Sequence, residues 1–209
     1  PRTGYRHIRQ LLPGNDLVVA RNRIRPCREY WNIPLAPPSD PVPPAAAEER
    51  FTEIFSRVVR RQMISDVPVG VFLSGGTDSF AVAYAMKRWS TAAFSAFSIG
   101  FAEASYDEQP QTRLSAAALD IPLIAERIGM EDSDLFAAVL PHCQDPFADS
   151  SSLAVYLLSR IAARHVKVVL GGDGADELLG GYRLYRANRY ARIYRAIPRL
   201  IRQGLINPL

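Results

Sequence analysis

Twice along this chain, a short and largely apolar run of residues leads directly into a glycine-rich loop. Residues 69–73 (VGVFL) precede the loop 74–79 (SGGTDS), and residues 166–170 (VKVVL) precede the loop 171–182 (GGDGADELLGGY). Runs of this kind are typical of strands that are buried on both faces of a parallel sheet. Because open α/β sheets bind ligands at the carboxyl ends of their strands, both loops stand where a ligand site is expected.

Strand-like and helix-like segments alternate along most of the chain. The sequence predicts helices over residues 45–65, 80–89, 107–119 and 153–165, and strands over residues 69–73, 93–99, 122–128 and 166–170. This alternation predicts an α/β fold with a doubly wound, mainly parallel sheet.

The residues before this alternation predict a smaller, separate region. Residues 17–20 and 23–25 indicate two short strands joined by a turn at Arg21 and Asn22, which favours a β-hairpin. Residues 34–44 hold six prolines, which remove backbone donors and favour extended conformations. We therefore predict a linker over residues 34–44, between a region over residues 1–33 and a domain over residues 45–209.

Composition narrows the classes of protein to consider. A chain of 209 residues can bury one core, and 48% hydrophobic with 22% charged residues is typical of a globular protein. No apolar run approaches the roughly 20 residues that cross a bilayer, and the first residues lack the layout of a signal peptide. Cys27 and Cys143 have neither a zinc-type nor a disulfide-framework spacing. We expect a cytoplasmic protein without a membrane partner.

The loop 74–79 has the features of an anion site. Glycines let the backbone approach phosphate oxygens closely, and the first amides of a helix carry partial positive charge. The hydroxyls of Ser74 and Ser79 are candidate further donors. The chain lacks both the GxxxxGK(S/T) lysine and the GxGxxG pattern, which excludes the ordinary P-loop and leaves a dinucleotide fold unsupported. The plainer alternative is a tight strand-to-helix turn that is capped by Asp78 or Ser79.

Both loops carry a family resemblance. The loop 74–79 resembles the SGGxDS pyrophosphate loop of the N-type ATP pyrophosphatases, which implies an adenine nucleotide α-hydrolase-like fold. The loop 171–182 resembles the SGxGxDExFxGY element of glutamine-hydrolysing asparagine synthetases and their relatives, the β-lactam synthetases, and residues 97–101, 105–108 and 145–151 agree with that family. The resemblance implies that residues 1–33 are the C-terminal remnant of a glutaminase (Ntn-type) domain and that residues 45–209 are a synthetase domain truncated at its C-terminus.

The resemblance also implies a reaction. A carboxylate, with aspartate as the first expectation, would be adenylylated by ATP and then amidated, with release of pyrophosphate and AMP. Ammonia would come from glutamine through the glutaminase domain, so this part alone is expected to be inactive for net synthesis. A homodimer is left open. The alternatives are a β-lactam-synthetase-like ligase, a tRNA-modifying ATP pyrophosphatase, and a nucleotide-binding protein that has lost its chemistry.

The resemblance assigns site residues by position. Asp78 and Asp176 would hold Mg²⁺, and Asp173 would act at the reacting carboxylate. The chain departs from the family pattern at Gly171, Asp173 and Leu179, where the family has serine, glutamate and phenylalanine. The implied contacts with ATP are made by Leu73, Ser74, Gly75, Gly76, Asp78, Ser79, Ile99, Gly171 and Gly172.

One feature of the sequence favours a nucleic-acid partner for this protein. Arginines recur every three residues after Tyr182, at Arg183, Arg186, Arg189, Arg192 and Arg195. On a helix, a three-residue step drifts by about 60° per arginine, so the charges spiral around the axis and form no single basic stripe. We therefore expect no nucleic-acid partner.

Overall fold

The computed structural model of this chain describes residues 3–21, 23–34, 42–90, 92–101, 107–128, 133–143 and 151–197. The chain forms two compact units, Pro1–Arg57 with Gly129–Leu157, and Val58–Ile128 with Leu158–Leu209. Both glycine loops belong to the second unit. Most of the predicted linker, residues 35–41, lies outside the described residues.

The first unit contains the predicted hairpin, which is confirmed. The described part of the first unit has four short strands, of which β2 and β3 form the hairpin. They are β1 (Asn15–Asp16), β2 (Val19–Ala20), β3 (Arg23–Ile24) and β4 (Arg28–Glu29). Strands β2 and β3 pair antiparallel, with Val19 opposite Ile24, and Arg21 adopts a left-handed φ of 48° at the turn between them. Strands β1 and β4 form a second antiparallel pair, which a 2.9 Å ion pair between Arg28 and Asp16 joins.

Helix α1 (Pro44–Gln62) begins in the first unit and ends in the second. The predicted helix is confirmed, although it ends earlier than predicted. The Ser65 hydroxyl accepts the Val67 N–H at 3.2 Å, a local turn that competes with further helix. The apolar stripe of α1 is largely exposed, since Phe51 is 48% exposed and Val59 is the only buried residue of the helix. Two short elements also lie in the first unit, α4 (Ser133–Val139) and a 3-10 helix (Leu140–His142).

The second unit is built on a four-stranded parallel sheet. Its strands are β5 (Val69–Phe72), β6 (Ala96–Phe101), β7 (Leu123–Ile128) and β8 (Val168–Leu170), in the order β7-β6-β5-β8. Val71 lies opposite both Ala96 of β6 and Leu170 of β8. From β5 the chain winds outwards through β6 and β7, and it then returns to add β8 on the other side of β5. This winding confirms the predicted doubly wound α/β fold and creates a topological switch point between β5 and β8.

The remaining helices connect or follow these strands. They are α2 (Thr77–Trp89), α3 (Gln109–Ala118), α5 (Ser151–Ala162), α6 (Ala175–Leu179) and α7 (Arg183–Ala196). Helix α5 begins in the first unit and ends in the second. Helix α2 begins three residues before the predicted start, so Asp78 and Ser79 belong to its first turn. Among the described residues, no helix is long and apolar enough to cross a membrane.

The core of the second unit lies on the sheet around Phe97. Phe97, Ile161 and Ala162 are buried together, and Phe72, Ile99, Ile124, Leu158, Val166 and Val169 pack against them. Gly70 makes room for this ring, because a Cβ at position 70 would lie 2.5 Å from Phe97 Cε2. Burial of a phenylalanine of this kind contributes about 2–3 kcal/mol. The prediction of a fully buried final strand is wrong, since the residues of β8, an edge strand of the described sheet, are only partly buried.

Candidate ATP-binding site

The two glycine loops meet at the switch point between β5 and β8. A Cβ at Gly172 would lie 2.8 Å from the Ser79 backbone nitrogen and 3.1 Å from Asp78 Cβ. The second loop therefore packs directly on the first turn of α2, and only glycine permits this approach. The two loops thus follow neighbouring strands, and their backbones are in contact.

Serine hydroxyls hold the first loop together from within. Ser74 donates its backbone N–H to Ser79 Oγ at 3.1 Å, and the two hydroxyl oxygens are 2.9 Å apart. Gly76 donates its N–H to Ser74 Oγ at 3.1 Å. Ser79 is 8% exposed. The two hydroxyls that the sequence proposed as phosphate donors thus make bonds that fix the shape of the loop.

The start of helix α2 carries no side-chain cap. Its N-cap residue is Gly76, with φ −83° and ψ 153°, and no side chain accepts a hydrogen bond from the first turn. The alternative of a turn capped by Asp78 or Ser79 is therefore wrong. Thr77, Asp78 and Ser79 present backbone N–H groups that have no acceptor among the described residues. Uncapped amides at a helix N-terminus attract anions, because the helix dipole adds partial positive charge there.

A carboxylate that sequence reasoning missed touches the first loop. Gly75 donates its N–H to Glu108 Oε2 at 3.1 Å. Glu108 is the N-cap of α3 and belongs to the segment 105–108, of which residues 105 and 106 lie outside the described part of the chain. The family resemblance of that segment was the available signal, but it carried no assigned role. The matching segment 145–151 is described only at Ser151.

The second loop depends on left-handed glycines. Gly174 is the N-cap of α6 with φ 89°, and Gly180 ends that helix with φ 71°. Gly181 donates its N–H to the Asp176 carbonyl at 3.0 Å, and the Asp176 carboxylate lies so close that a side chain at position 181 would collide with it. Since left-handed conformations are costly for other residues, these glycines determine the short turn that carries Asp176.

The three acids of the second loop have different surroundings. Tyr182 Oη donates to Glu177 Oε1 at 2.7 Å, which lowers the pKa of Glu177 and raises the pKa of Tyr182 to about 12. No group of three or more His, Cys, Asp or Glu side chains in the described part of the chain could hold a metal ion. Asp173 and Asp176 make no side-chain hydrogen bond with described residues.

Two of the departures from the family pattern touch each other. A Cβ at Gly171 would lie 2.8 Å from Asp173 Oδ2. The Asp173 carboxylate therefore folds back into the space that the family's serine side chain would take.

Leu73 directly follows β5, and Ile99 lies within β6, the neighbouring central strand. Leu73 donates its N–H to the Phe97 carbonyl at 3.0 Å and is only 2% exposed. Ile99 is half-buried and packs against the core around Phe97. Leu73 is therefore almost fully buried, while Ile99 is partly accessible.

Comparison with known proteins agrees with these loops. Residues 50–208 match the asparagine synthase family model. Asparagine synthetase (glutamine-hydrolyzing) 1 of Bacillus subtilis is 31% identical over 208 residues, which cover 99% of this chain and 32% of that protein. Asparagine synthetase (glutamine-hydrolyzing) 3 of the same organism is 30% identical over 201 residues, which cover 87% of this chain and 32% of that protein. The chain thus spans about a third of the length of these curated relatives.

Among solved structures, the NH3-dependent NAD synthetase of Campylobacter jejuni in complex with nitrate is 24% identical to this chain, with a TM-score of 0.44. The match covers 64% of this chain and 60% of that one, an overlap too small to carry a functional argument. The family match is more extensive, since it includes both glycine loops and well over half of the residues. On that match, the chain belongs to the asparagine synthase family.

Proposed function

We propose that this chain is the ATP-pyrophosphatase core of an amidoligase, which activates a carboxylate by adenylylation and transfers the acyl group to ammonia. One observation carries the proposal. The backbone of Gly172 packs on the first turn of α2, so an uncapped helix N-terminus and an acidic loop share the switch point between β5 and β8. Crevices at such switch points are where doubly wound sheets bind nucleotides.

The chemistry requires activation, because ammonia does not displace an oxygen from a carboxylate. A carboxylate oxygen attacks the α-phosphorus of ATP, the bond to the β-phosphate breaks, and pyrophosphate leaves. Ammonia then attacks the acyl carbon, the amide forms with loss of a proton, and AMP leaves. Residues Ser74, Gly75, Gly76, Asp78 and Ser79 form the loop that receives the pyrophosphate. Gly171 and Gly172 let the backbone approach the nucleotide, and Leu73 and Ile99 contact the adenosine.

The residues present fit a magnesium ion. Asp78 stands in the first turn of α2 and Asp176 in the first turn of α6, and neither carboxylate has a hydrogen-bond partner among the described residues. Mg²⁺ favours one or two carboxylates completed by phosphate oxygens and water. When bound by Asp78 and Asp176, the ion would offset the negative charge that develops on the departing pyrophosphate. Glu177 is not included, because Tyr182 already donates to it.

Asp173 is the proposed catalytic residue. It follows Gly171 and Gly172 at the end of β8, next to the loop that would hold the nucleotide. A carboxylate there can accept a proton from the attacking ammonia and orient the reacting carboxyl group. Asparagine formation from aspartate is the proposed overall reaction. The names of the relatives, asparagine synthetase (glutamine-hydrolyzing), support it.

We propose roles for the other regions of the chain as well. Residues 1–33 are the end of a glutaminase domain that supplies ammonia from glutamine, residues 34–44 are a linker, and residues 45–209 belong to the synthetase domain. Net synthesis requires the remainder of the protein.

ATP–pyrophosphate exchange tests the proposed reaction directly. In the complete protein with Mg²⁺, labelled pyrophosphate should enter ATP only when a carboxylate substrate is present. A panel with aspartate, glutamate and a β-amino acid carboxylate identifies the preferred class, and we expect aspartate to give the fastest exchange. Exchange that depends on tRNA, with none for any carboxylate, would instead support a base-modifying enzyme.

A further inference from the structure

The start of α3 packs against the first loop, although its residues follow the loop by about thirty positions in the sequence. A Cβ at Gly75 would lie 3.2 Å from Gln111 Cβ and 3.3 Å from Glu108 Cβ. The first turn of α3 therefore covers Gly75 closely. On this surface the Glu108 carboxylate accepts the Gly75 N–H at 3.1 Å.

The backbone of Glu108 is itself firmly held. Thr112, which is fully buried, donates both its N–H and its hydroxyl to the Glu108 carbonyl, each at 3.0 Å. The buried Gln109 donates from Nε2 to Ser98 Oγ of β6 at 3.0 Å. Asp107 Oδ1 accepts the Gln109 N–H at 3.2 Å. These bonds join the start of α3 to the sheet. They hold the backbone of Glu108 in place, so that its carboxylate can accept the Gly75 N–H.

The hydrogen bonds also divide the amides of the loop into two sets. Gly75 donates to Glu108, and Gly76 donates to Ser74 Oγ. The amides of Thr77, Asp78 and Ser79 have no acceptor among the described residues. The amides of Gly75 and Gly76 thus stabilise the shape of the loop. The amides in the first turn of α2 remain available to bind an anion.

We infer that Glu108 is a positioning residue of the pyrophosphate loop: its carboxylate fixes the Gly75 peptide, so that the first-turn amides of α2 receive the pyrophosphate. This inference rests on the proposed function, and it adds a residue with a stated role. The proposed role of Glu108 acts through the Gly75 peptide and not through contact with the nucleotide. Glu108 sets the direction in which the chain enters α2, together with the two serine hydroxyls that hold the other side of the loop.

Calorimetry with three ligands tests this role in the complete protein. Glu108→Ala should weaken binding of magnesium pyrophosphate and Mg-ATP about tenfold, or ~1.4 kcal/mol, because the loop loses a hydrogen bond to a charged acceptor. AMP, which has no pyrophosphate, should bind as before. Glu108→Gln keeps an acceptor oxygen and should restore most of the affinity. As a matched control, Glu126→Ala removes a carboxylate that pairs with Arg164 and should change none of the three affinities.

Two results would overturn the inference. Pyrophosphate that binds Glu108→Ala as tightly as the parent, or more tightly, would mean that the carboxylate is a bystander or a competitor for Gly75. An equal loss for AMP would mean that the substitution damages the fold and not the loop.

Hydrogen exchange separates this inference from the proposed function. Without any nucleotide, the Gly75 amide should exchange at least about tenfold faster in Glu108→Ala than in the parent or in Glu108→Gln. An unprotected Gly75 amide in the parent would refute the role of Glu108 while leaving ATP binding untouched. A parent that binds neither Mg-ATP nor pyrophosphate would instead contradict the proposed function.

Discussion

The two glycine loops stand at neighbouring strand ends, yet they are built in opposite ways. The first is internally bonded around the buried hydroxyl of Ser79, and it leads into the 13-residue helix α2. The second relies on left-handed glycines, carries a five-residue helix and leaves Leu178 76% exposed. The first loop presents backbone amides and the second presents carboxylates. Uncapped helix amides thus lie beside an acidic loop whose shape depends on left-handed glycines.

Substitution at the contact between the two loops should have the largest effect on Mg-ATP affinity. Gly172→Ala places a Cβ 2.8 Å from the Ser79 nitrogen, so backbone must move, and we expect Mg-ATP affinity to fall about a hundredfold. Gly174→Ala is the control, because nothing lies within 4 Å of the added Cβ and only the φ of 89° is strained. That variant should cost about 1–3 kcal/mol of stability and should lower Mg-ATP affinity less than Gly172→Ala does, because no neighbouring backbone must move. Calorimetry that finds Gly172→Ala within threefold of the parent would break the comparison.

Asp78 tests whether the first loop also uses a carboxylate. Asp78→Ala should weaken Mg-ATP binding roughly thirtyfold, because the metal and its bound phosphates lose a ligand. Binding of AMP without magnesium should not change. Calorimetry is again the measurement, and equal Mg-ATP affinity before and after the substitution would remove Asp78 from the metal site.

The coupled departures in the second loop predict non-additive effects. Gly171→Ser should displace the Asp173 carboxylate, which lies 2.8 Å from the new Cβ, and should lower turnover of the complete protein about tenfold. Adding Asp173→Glu should recover part of that loss, because the longer side chain can reach past the serine. Steady-state kinetics of the two single variants and the double variant give the coupling. Strictly additive losses would show that positions 171 and 173 act independently.

The acids of the second loop should have separate tasks. Asp176→Asn should raise the magnesium concentration needed for half-maximal turnover about fivefold, because a metal ligand loses its charge. Asp173→Asn should mainly lower the maximal rate. Magnesium titrations of the complete protein distinguish the two variants, and superimposable curves would refute this division.

The smallest effect concerns the Tyr182 hydrogen bond to Glu177. The folded-state pKa of Glu177 is lowered from its ordinary value of 4.5, so this stabilisation is present above pH 4.5 and is lost as the pH falls through the lowered pKa. The pKa of Tyr182 is raised to about 12, so its contribution persists below pH 10.0 and is lost as the pH approaches 12. Tyr182→Phe should lower Tm by at most about 2 °C at pH 7, because both groups are exposed. In thermal melts the difference in Tm should shrink as the pH is lowered from 4.5, and a difference that does not shrink would contradict the assigned pKa shift.

Sequence patterns predict the structure well where the pattern lies within a few neighbouring residues. Apolar runs such as residues 69–73 predicted the strands, and the glycines that follow them predicted the loops. Helix α6 escaped prediction because five residues are too few to show a helical period. The bond between Glu108 and Gly75 escaped because it joins residues that the fold alone brings together. The serine hydroxyls were assigned to a ligand because their spacing does not reveal that they bond to each other.

The contact between Gly172 and the first turn of α2 also has a consequence for folding. It closes a long stretch of chain, since β6, β7 and the helices between them come first, and contacts of such sequence separation form slowly. The first loop can take shape early within a local strand–helix unit, whereas the joined site exists only after β8 has docked. A nucleotide that spans both loops therefore binds only the finished state, and by mass action it should slow the escape of β8 and delay unfolding.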